Sequence, residues 1–388
     1  MSLTVRLPRP DGTLHEYRLT GQTPPAPPRG PIQSRIGFAA VHVVADPRAP
    51  INPTLEARLD WDATLAYRRH VWSLGLAVAE AMDTSQRGMG FDWDTAKELI
   101  RRSVGEARAI PGAVLASGAG TDHLEPGPGV TLADVEAAYE EQCAFIESVG
   151  GRIILMASRA LTACAKGPDD YVKVYGRILA QAREPVIIHW LGEMFDPALA
   201  GYWGSHDRDR QTETLLAIVG EYAAKIDGVK ISLLDQAREI AMRRRFPTAV
   251  RMYTGDDFDY PTTIRGDSAR WSDALLGIFD VIAPAASAAL HALDVGNVAA
   301  FDRILAPTLP LSRHVFGAPT RFYKTGVVFA AYLNGHQSHF RMVGGLESAR
   351  SALHLAEQFV LMDRAGLLRD PDLAAERMRR VLAVAGVE

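Results

Sequence analysis

Between about residues 35 and 290 the chain repeats one pattern: a short apolar run, a turn signal, then a longer amphipathic stretch. Apolar runs that alternate with helical segments are the mark of parallel strands joined by crossover helices. The runs fall near residues 36–44, 77–82, 112–117, 152–157, 185–190, 227–231, 249–254 and 274–279. Eight such strands close a barrel, so the expected fold is α/β, a (β/α)8 TIM barrel. Helix starts support this phasing. Asp62 or Thr64 opens one helix, Asp92 to Ala107 forms a second, Thr131 to Ser148 a third with Asp134 in its first turn, and Asp169 to Arg183 a fourth.

The flanks read differently. Residues 3–19 alternate apolar and polar around Pro10-Asp11-Gly12, which predicts an N-terminal β-hairpin. Pro24, Pro25, Pro27, Pro28 and Pro31 then form a stiff linker. After residue 290 the strand signals stop, and Val298–Leu305, Thr320–Leu333, Leu346–Ala365 and 371–385 carry helical periodicity. The expected organisation is hairpin and linker over 1–33, catalytic barrel over 34–290 and a C-terminal helical region over 291–388.

Bulk properties narrow the partners. A formal charge of −4 on 388 residues implies neither nucleic acid nor an anionic membrane surface, which leaves a small molecule as the expected partner. The two cysteines, Cys143 and Cys164, are too few for a disulfide framework, and the start Met1-Ser2-Leu3-Thr4-Val5-Arg6 lacks a secretory pattern. A cytoplasmic location is expected. No run of about eighteen apolar residues is free of charge, so no membrane span is expected.

Chemistry should lie at the C-terminal strand ends, where barrels carry it. Lys230 ends the apolar run Ile226-Asp227-Gly228-Val229-Lys230-Ile231-Ser232. A lysine in an apolar barrel mouth loses its proton readily and attacks carbonyls. His189, in Ile187-Ile188-His189-Trp190, is the candidate proton carrier, an imidazole expected to titrate near neutrality. Met252-Tyr253-Thr254-Gly255-Asp256-Asp257 closes the next strand with a glycine and two carboxylates, one expected to cap the following turn and the other to meet substrate hydroxyls; the spacing does not say which. Asp83, Thr84, Ser85 and Gln86 offer acceptors and donors suited to a polyhydroxylated compound, or form a simple turn. Arg159 has the fork for an acidic group, or faces solvent. His42 is a further candidate. The loop Leu191 to Asp207 reads as a lid or a surface excursion, with Glu193, Trp203 and His206 its notable residues. Asn334 to His339 covers the site or an oligomer contact, and Arg243-Arg244-Arg245 reads as a solvated helix end.

Strand order and strand-end residues together resemble the dihydrodipicolinate synthase and N-acetylneuraminate lyase family of class I aldolases, over roughly residues 35–340. In that family a strand-six lysine within Gly-(Ile/Val)-Lys forms a Schiff base with a 2-keto acid, and Gly228-Val229-Lys230 matches it. The family's Ser-Gly-Asp-Asp is echoed by Thr254-Gly255-Asp256-Asp257, and a helix-opening lysine by Lys324. Three departures mark a divergent branch of unassigned function. Met82-Asp83-Thr84-Ser85-Gln86 stands for the carboxylate-binding Gly-Thr-Thr-Gly-Glu, and Asp83 repels a carboxylate placed there. His189 replaces a proton-relaying tyrosine. Met156-Ala157-Ser158-Arg159 replaces Thr-Pro-Tyr-Tyr.

The leading expectation is a Schiff-base lyase or aldolase with Lys230 as nucleophile and His189 handling protons. Its substrate would be a 2-keto acid or sugar-derived keto compound in carbohydrate metabolism, bound by Asp83, Thr84, Ser85, Arg159, Gly255, Asp256 and Asp257. No cofactor beyond the lysine imine is implied, and the resemblance implies a homo-oligomer. Two alternatives stay open: a divalent-metal-dependent sugar isomerase or aldolase using His42, Asp83, His189 and Asp256, and a barrel that only binds sugars.

Overall fold

A computed structural model describes residues 3–26 and 30–387; Met1, Ser2 and, in the proline-rich stretch, Pro27 and Pro28 lie outside them. Ten strands are present among the described residues. β1 (Thr4–Pro8) and β2 (Leu14–Arg18) pair antiparallel across Pro10-Asp11-Gly12, as the alternation predicts. The other eight are β3 (Gly37–Ala40), β4 (Ala77–Glu80), β5 (Leu115–Ala119), β6 (Arg152–Leu155), β7 (Val186–Leu191), β8 (Ile226–Ser232), β9 (Arg251–Thr254) and β10 (Asp273–Leu276). They form one closed parallel barrel in sequence order, with β10 returning to β3. The fold is a (β/α)8 barrel with an N-terminal hairpin and C-terminal helices.

The two-residue period of the strands separates two apolar layers. Phe38, Ala40, Ala77, Ala79, Ala116, Ile154, Ile187, Tyr253 and Leu275 fill the barrel interior, small residues on β4 and β5 facing larger ones elsewhere. Their neighbours in sequence, such as Ala39, Val78, Ile188, Val229 and Met252, pack outward under the helices. Helix caps sit where the sequence puts them. Asp92 caps Trp93–Ala109, and Thr131 with Asp134 forms a capping box on Leu132–Ser148. The first helix begins a little earlier than predicted, at Trp61, because Asp60 accepts from the Ala63 amide.

Beyond β10 the chain is helical, including Ala283–Asp294, Val298–Leu305, Thr308–Val315, Tyr323–Leu333, Ala352–Arg364 and Pro371–Val384. The hairpin packs on the last two of these: Tyr17 donates to Asp363 Oδ2 at 2.7 Å and Arg379 donates to the Thr4 carbonyl. The two ends of the described chain therefore meet.

Two readings are corrected. Arg243 is no solvated residue: it is buried and donates to the Thr263 carbonyl and the Ser272 hydroxyl at 3.0 and 3.1 Å, while Arg244 and Arg245 remain exposed. Residues 346–349 are not part of a long helix; Gly344 and Gly345 adopt left-handed φ of 71° and 66°, and the α-helix starts only after the Ser351 cap. Among the described residues no helix is long and apolar enough to cross a membrane.

Candidate active site

β7 and β8 pair with Ile187 opposite Gly228 and His189 opposite Lys230. Since Ile187 belongs to the barrel interior, His189 and Lys230 share that inward face near the C-terminal mouth. Lys230 is only 6% exposed and His189 wholly buried. The lysine's stem has room because the next strand ends in glycine: a Cβ at Gly255 would meet the Ile231 carbonyl at 2.6 Å and Lys230 Cε at 3.0 Å, with the Ser232 hydroxyl nearer still. Gly228 serves a different purpose, since the Tyr253 ring lies against it.

Burial drives the electrostatics. Loss of water around the ammonium holds the Lys230 pKa below the usual lysine value, although Asp83 and Asp257 pull it upward. Burial likewise pushes Asp257 up to about 7, against the Ile278 amide hydrogen bond and the Lys230 charge, with Asp256 adding to the rise. Both members of the pair are thus biased toward their neutral forms. His189 is held well below its ordinary value by burial and then by Lys230. The imidazole is therefore neutral and does not titrate near pH 7 as the sequence suggests. Its Nε2 lies 3.1 Å from Ser232 Oγ; its Nδ1 has no hydrogen-bond partner and sits 3.9 Å from Asp83 Oδ2.

The adjacent carboxylates divide their tasks. Asp256 Oδ1 accepts from the Phe258 and Asp259 amides at 2.9 and 3.3 Å, a turn-capping arrangement. Asp257 is fixed by the amide of Ile278 at 2.9 Å, and the Ser312 hydroxyl donates to its carbonyl. The segment just after β10 thus holds the carboxyl that senses Lys230, while the C-terminal helices hold its backbone.

Asp83, Thr84 and Ser85 follow β4 on a single 3-10 turn between two left-handed non-glycine residues, Ala81 (φ 53°) and Gln86 (φ 67°). Such backbone costs about 1–3 kcal/mol per residue and needs support. Glu80 gives it by accepting from the Ala81 amide at 2.9 Å while pairing with buried Arg68, and Gln86 donates to the Val343 carbonyl at 2.7 Å. Of the three polar side chains, Ser85 is spent on the Val41 carbonyl at 2.7 Å and Thr84 on the Tyr323 hydroxyl at 2.8 Å. Asp83 alone stays within electrostatic reach of the lysine.

A cavity of about 80 Å³ opens beside these residues, its wall including Asp83, His189, Met156, Arg159 and Asp196. Lys230 is not part of that wall, but its cross-strand neighbour His189 is. Arg159 faces the cavity but is tied to Asp196 at 2.5 Å and to the Gly88 carbonyl at 3.3 Å. A larger groove of about 610 Å³ runs along the C-terminal helices, lined by Phe340, Leu355, Val381 and Val384 among others, far in sequence from the barrel-mouth carboxylates. The loop after β7 is pinned: Trp203 is fully buried against Tyr175 and Tyr202, Glu193 pairs with Arg208, and His206 lies against Gly201. His336, in the Asn334–His339 stretch, packs on Tyr67 and His70.

The metal-binding set is not brought together. His42 Nδ1 is 2.7 Å from Asp280 Oδ2, and Asp256 is committed to its turn. Among the described residues no group of three or more His, Cys, Asp or Glu is placed to hold a metal ion. Sequence reasoning missed Tyr323, Asp280 and Asp196, which reach the mouth only through tertiary packing. Lys324 was visible as a helix opener, but nothing local marks it as buried.

Comparison with known proteins agrees with this architecture. A family model described as "Protein of unknown function (DUF993)" matches residues 5–387. No protein of curated function matches the sequence. Among solved structures, YagE, a prophage protein of the dihydrodipicolinic acid synthase family from E. coli K12 in complex with pyruvate, is similar with a TM-score of 0.67 at 13% identity, covering 86% of this chain and 99% of its own. Dihydrodipicolinate synthase from Aquifex aeolicus gives 0.64 at 13%, with 86% and 99% covered. The 4-hydroxy-tetrahydrodipicolinate synthase of Methylacidiphilum fumariolicum SolV gives 0.63 at 13%, with 91% and 98% covered. At such identity the likeness is one of fold.

Proposed function

The chain belongs to the DUF993 family, and we propose that it is an imine-forming lyase or aldolase in which Lys230 condenses with the carbonyl of a small keto acid or keto sugar. The observation that carries this reading is a buried amine on the inward face of the barrel mouth, with the raised carboxyl of Asp257 in electrostatic contact. A merely structural lysine has no need of a site that strips its proton. The likeness in fold to enzymes of the dihydrodipicolinate synthase family, one of them holding pyruvate, supports it.

The chemistry follows from the proton inventory. Neutral Lys230 adds through nitrogen to the ketone carbon, giving a carbinolamine. Asp257, protonated near pH 7, donates to the carbinolamine hydroxyl, which leaves as water. The product iminium is positive, and the carboxylates of Asp257 and Asp83 stabilise it. It then draws electrons from the adjacent bond, permitting C–C cleavage, condensation or loss of a hydroxyl. His189, neutral and with Nδ1 free, passes protons between the substrate and the Asp83 side rather than storing one. Asp83, in the wall of the neighbouring cavity, selects hydroxyl donors over a carboxylate at that spot.

Borohydride reduction in the presence of pyruvate or dihydroxyacetone, followed by intact-mass measurement and peptide mapping, tests the proposal. A mass gain on the peptide carrying Lys230, absent in Lys230→Ala, is expected. Absence of a gain with every ketone tried, or a label on another lysine, refutes it.

A further inference from the structure

Lys324 is the second buried lysine of the barrel mouth, and its situation is unusual in three ways. It is 4% exposed. It lies in the first turn of the helix Tyr323–Leu333, where the helix dipole disfavours a cation. Finally, its hydrogen-bond partners among the described residues are the Met89 thioether at 3.0 Å and the Arg321 carbonyl at 3.3 Å, with the Tyr323 ring 5.1 Å from Nζ. A thioether is a weak acceptor. The other cations of the mouth are already neutralised: Arg87 pairs with Asp122 and Arg159 with Asp196.

The location is informative. Of the charged groups acting on Lys324, Asp83, Asp196 and Arg159 all line the cavity beside Lys230. Gly88 lines it too, whereas Lys324 does not reach its wall: the ammonium rests on Met89, the residue after Gly88, and opens to the cavity only when that side chain moves. Asp83 acts on both lysines, so one carboxylate is shared by the fields of the two amines. Methionine is unbranched and flexible, and can swing aside for a better acceptor.

We propose that Lys324 is the anion-binding residue of this cavity, receiving a substrate carboxylate while the ketone of the same molecule meets Lys230. This deepens the lyase reading and rests on it. Because the two amines sit on different elements, β8 and the helix Tyr323–Leu333, and Asp83 repels a carboxylate beside it, the carboxylate is held away from the ketone end, and the substrate is a keto acid whose acid group is separated from the reacting carbonyl by intervening carbons. A single ammonium matches the single charge of a carboxylate better than a phosphate dianion. On binding, the Met89 thioether leaves and the carboxylate oxygens accept from Nζ, a charge-assisted hydrogen bond in a dry site.

The test compares 4-oxopentanoate with its neutral amide as probes. With borohydride, the wild-type protein should be trapped at Lys230 by the acid at concentrations at least tenfold below those the amide needs, the scale expected for one charge-assisted hydrogen bond. In Lys324→Met that ratio should fall to near one. Binding of 4-oxopentanoate to Lys230→Ala by calorimetry supplies a readout without the imine: it should persist there and vanish in Lys230→Ala/Lys324→Met. Failure of trapping with retained, Lys324-dependent binding would sink the lyase reading alone. An unchanged ratio in Lys324→Met, a label on Lys324, or displacement of the acid by inorganic phosphate at equal concentration would overturn the present proposal.

Discussion

Substituting Gly255 by alanine isolates the placement of the Lys230 amine from the stability of the barrel. The added Cβ would lie 2.6 Å from the Ile231 carbonyl and 3.0 Å from Lys230 Cε. Retreat of the backbone is blocked, because the Gly255 amide donates to that same Ile231 carbonyl at 2.8 Å. The Ser232 hydroxyl, nearest of all, and the lysine stem are the side-chain neighbours that can yield, so both move. Overpacking of this kind costs about 1–3 kcal/mol of stability, while displacing a reacting group by roughly 1 Å costs about 10²-fold in rate. Gly228→Ala is the matched control: its Cβ would meet the Tyr253 ring at 2.6 and 2.8 Å, with a comparable packing penalty. That ring's hydroxyl, however, bonds to Asp227, near the other end of β8. Denaturant unfolding should show similar losses in both variants, whereas borohydride trapping at Lys230 should slow about 10²-fold only in Gly255→Ala. Trapping by Gly255→Ala within twofold of wild type, or an equal loss in Gly228→Ala, would refute the argument that Gly255 makes room for the amine.

Other perturbations address the supporting groups. Asp257→Asn keeps an acceptor for the Ile278 amide but removes the proton donor, so single-turnover imine formation should slow about 10²–10⁴-fold with little change in stability. Arg68→Met strands the Glu80 carboxylate, now held at 2.8 and 2.9 Å, and should lower unfolding free energy by about 3–5 kcal/mol in a denaturant titration, with Arg68→Met/Glu80→Leu recovering part of it. Glu239 is raised from 4.5 to about 7 by burial, partly offset by hydrogen bonds from Ser272 and Thr254. The folded protein therefore keeps a proton there that the unfolded chain has lost, so the stability this group contributes is full below pH 4.5 and fades as pH rises to about 7. Relative to Glu239→Gln, the wild type should lose on the order of 3 kcal/mol across that window in parallel melts, and a flat difference would contradict the assignment.

What could be read from the chain divides by the range of the interaction that decides it. Strands and caps rest on neighbours within a few residues: Thr131 with Asp134, the alternation in Val186–Leu191, the glycine after Thr254. Hence the barrel and the sequence order of its strands were legible. The proton affinity of His189 was not, because it is set by total exclusion of water and then by Lys230 on the next strand. Likewise, a polar triplet such as Asp83-Thr84-Ser85 advertises three ligands, yet two of its side chains are consumed by Tyr323 and Val41, partners 239 and 44 residues distant.

The same reasoning explains why the carboxylate pair looked ambiguous. Asp256 and Asp257 are equivalent as sequence, since either can cap a turn. They are separated by what arrives from elsewhere: the local amides of Phe258 and Asp259 hold Asp256, while the Ile278 amide, after β10, and the Ser312 hydroxyl, from the C-terminal helices, hold Asp257 and its backbone. The helical region after the barrel is thus more than a cover. It anchors the backbone of Asp257 through Ser312 and brings in the second buried lysine, Lys324, along with the tyrosine that engages Thr84. A barrel lacking those helices would keep Lys230 on its strand and the Ile278 amide on the Asp257 carboxyl, but lose the Ser312 anchor on the Asp257 backbone, and with it part of what fixes that carboxyl in place.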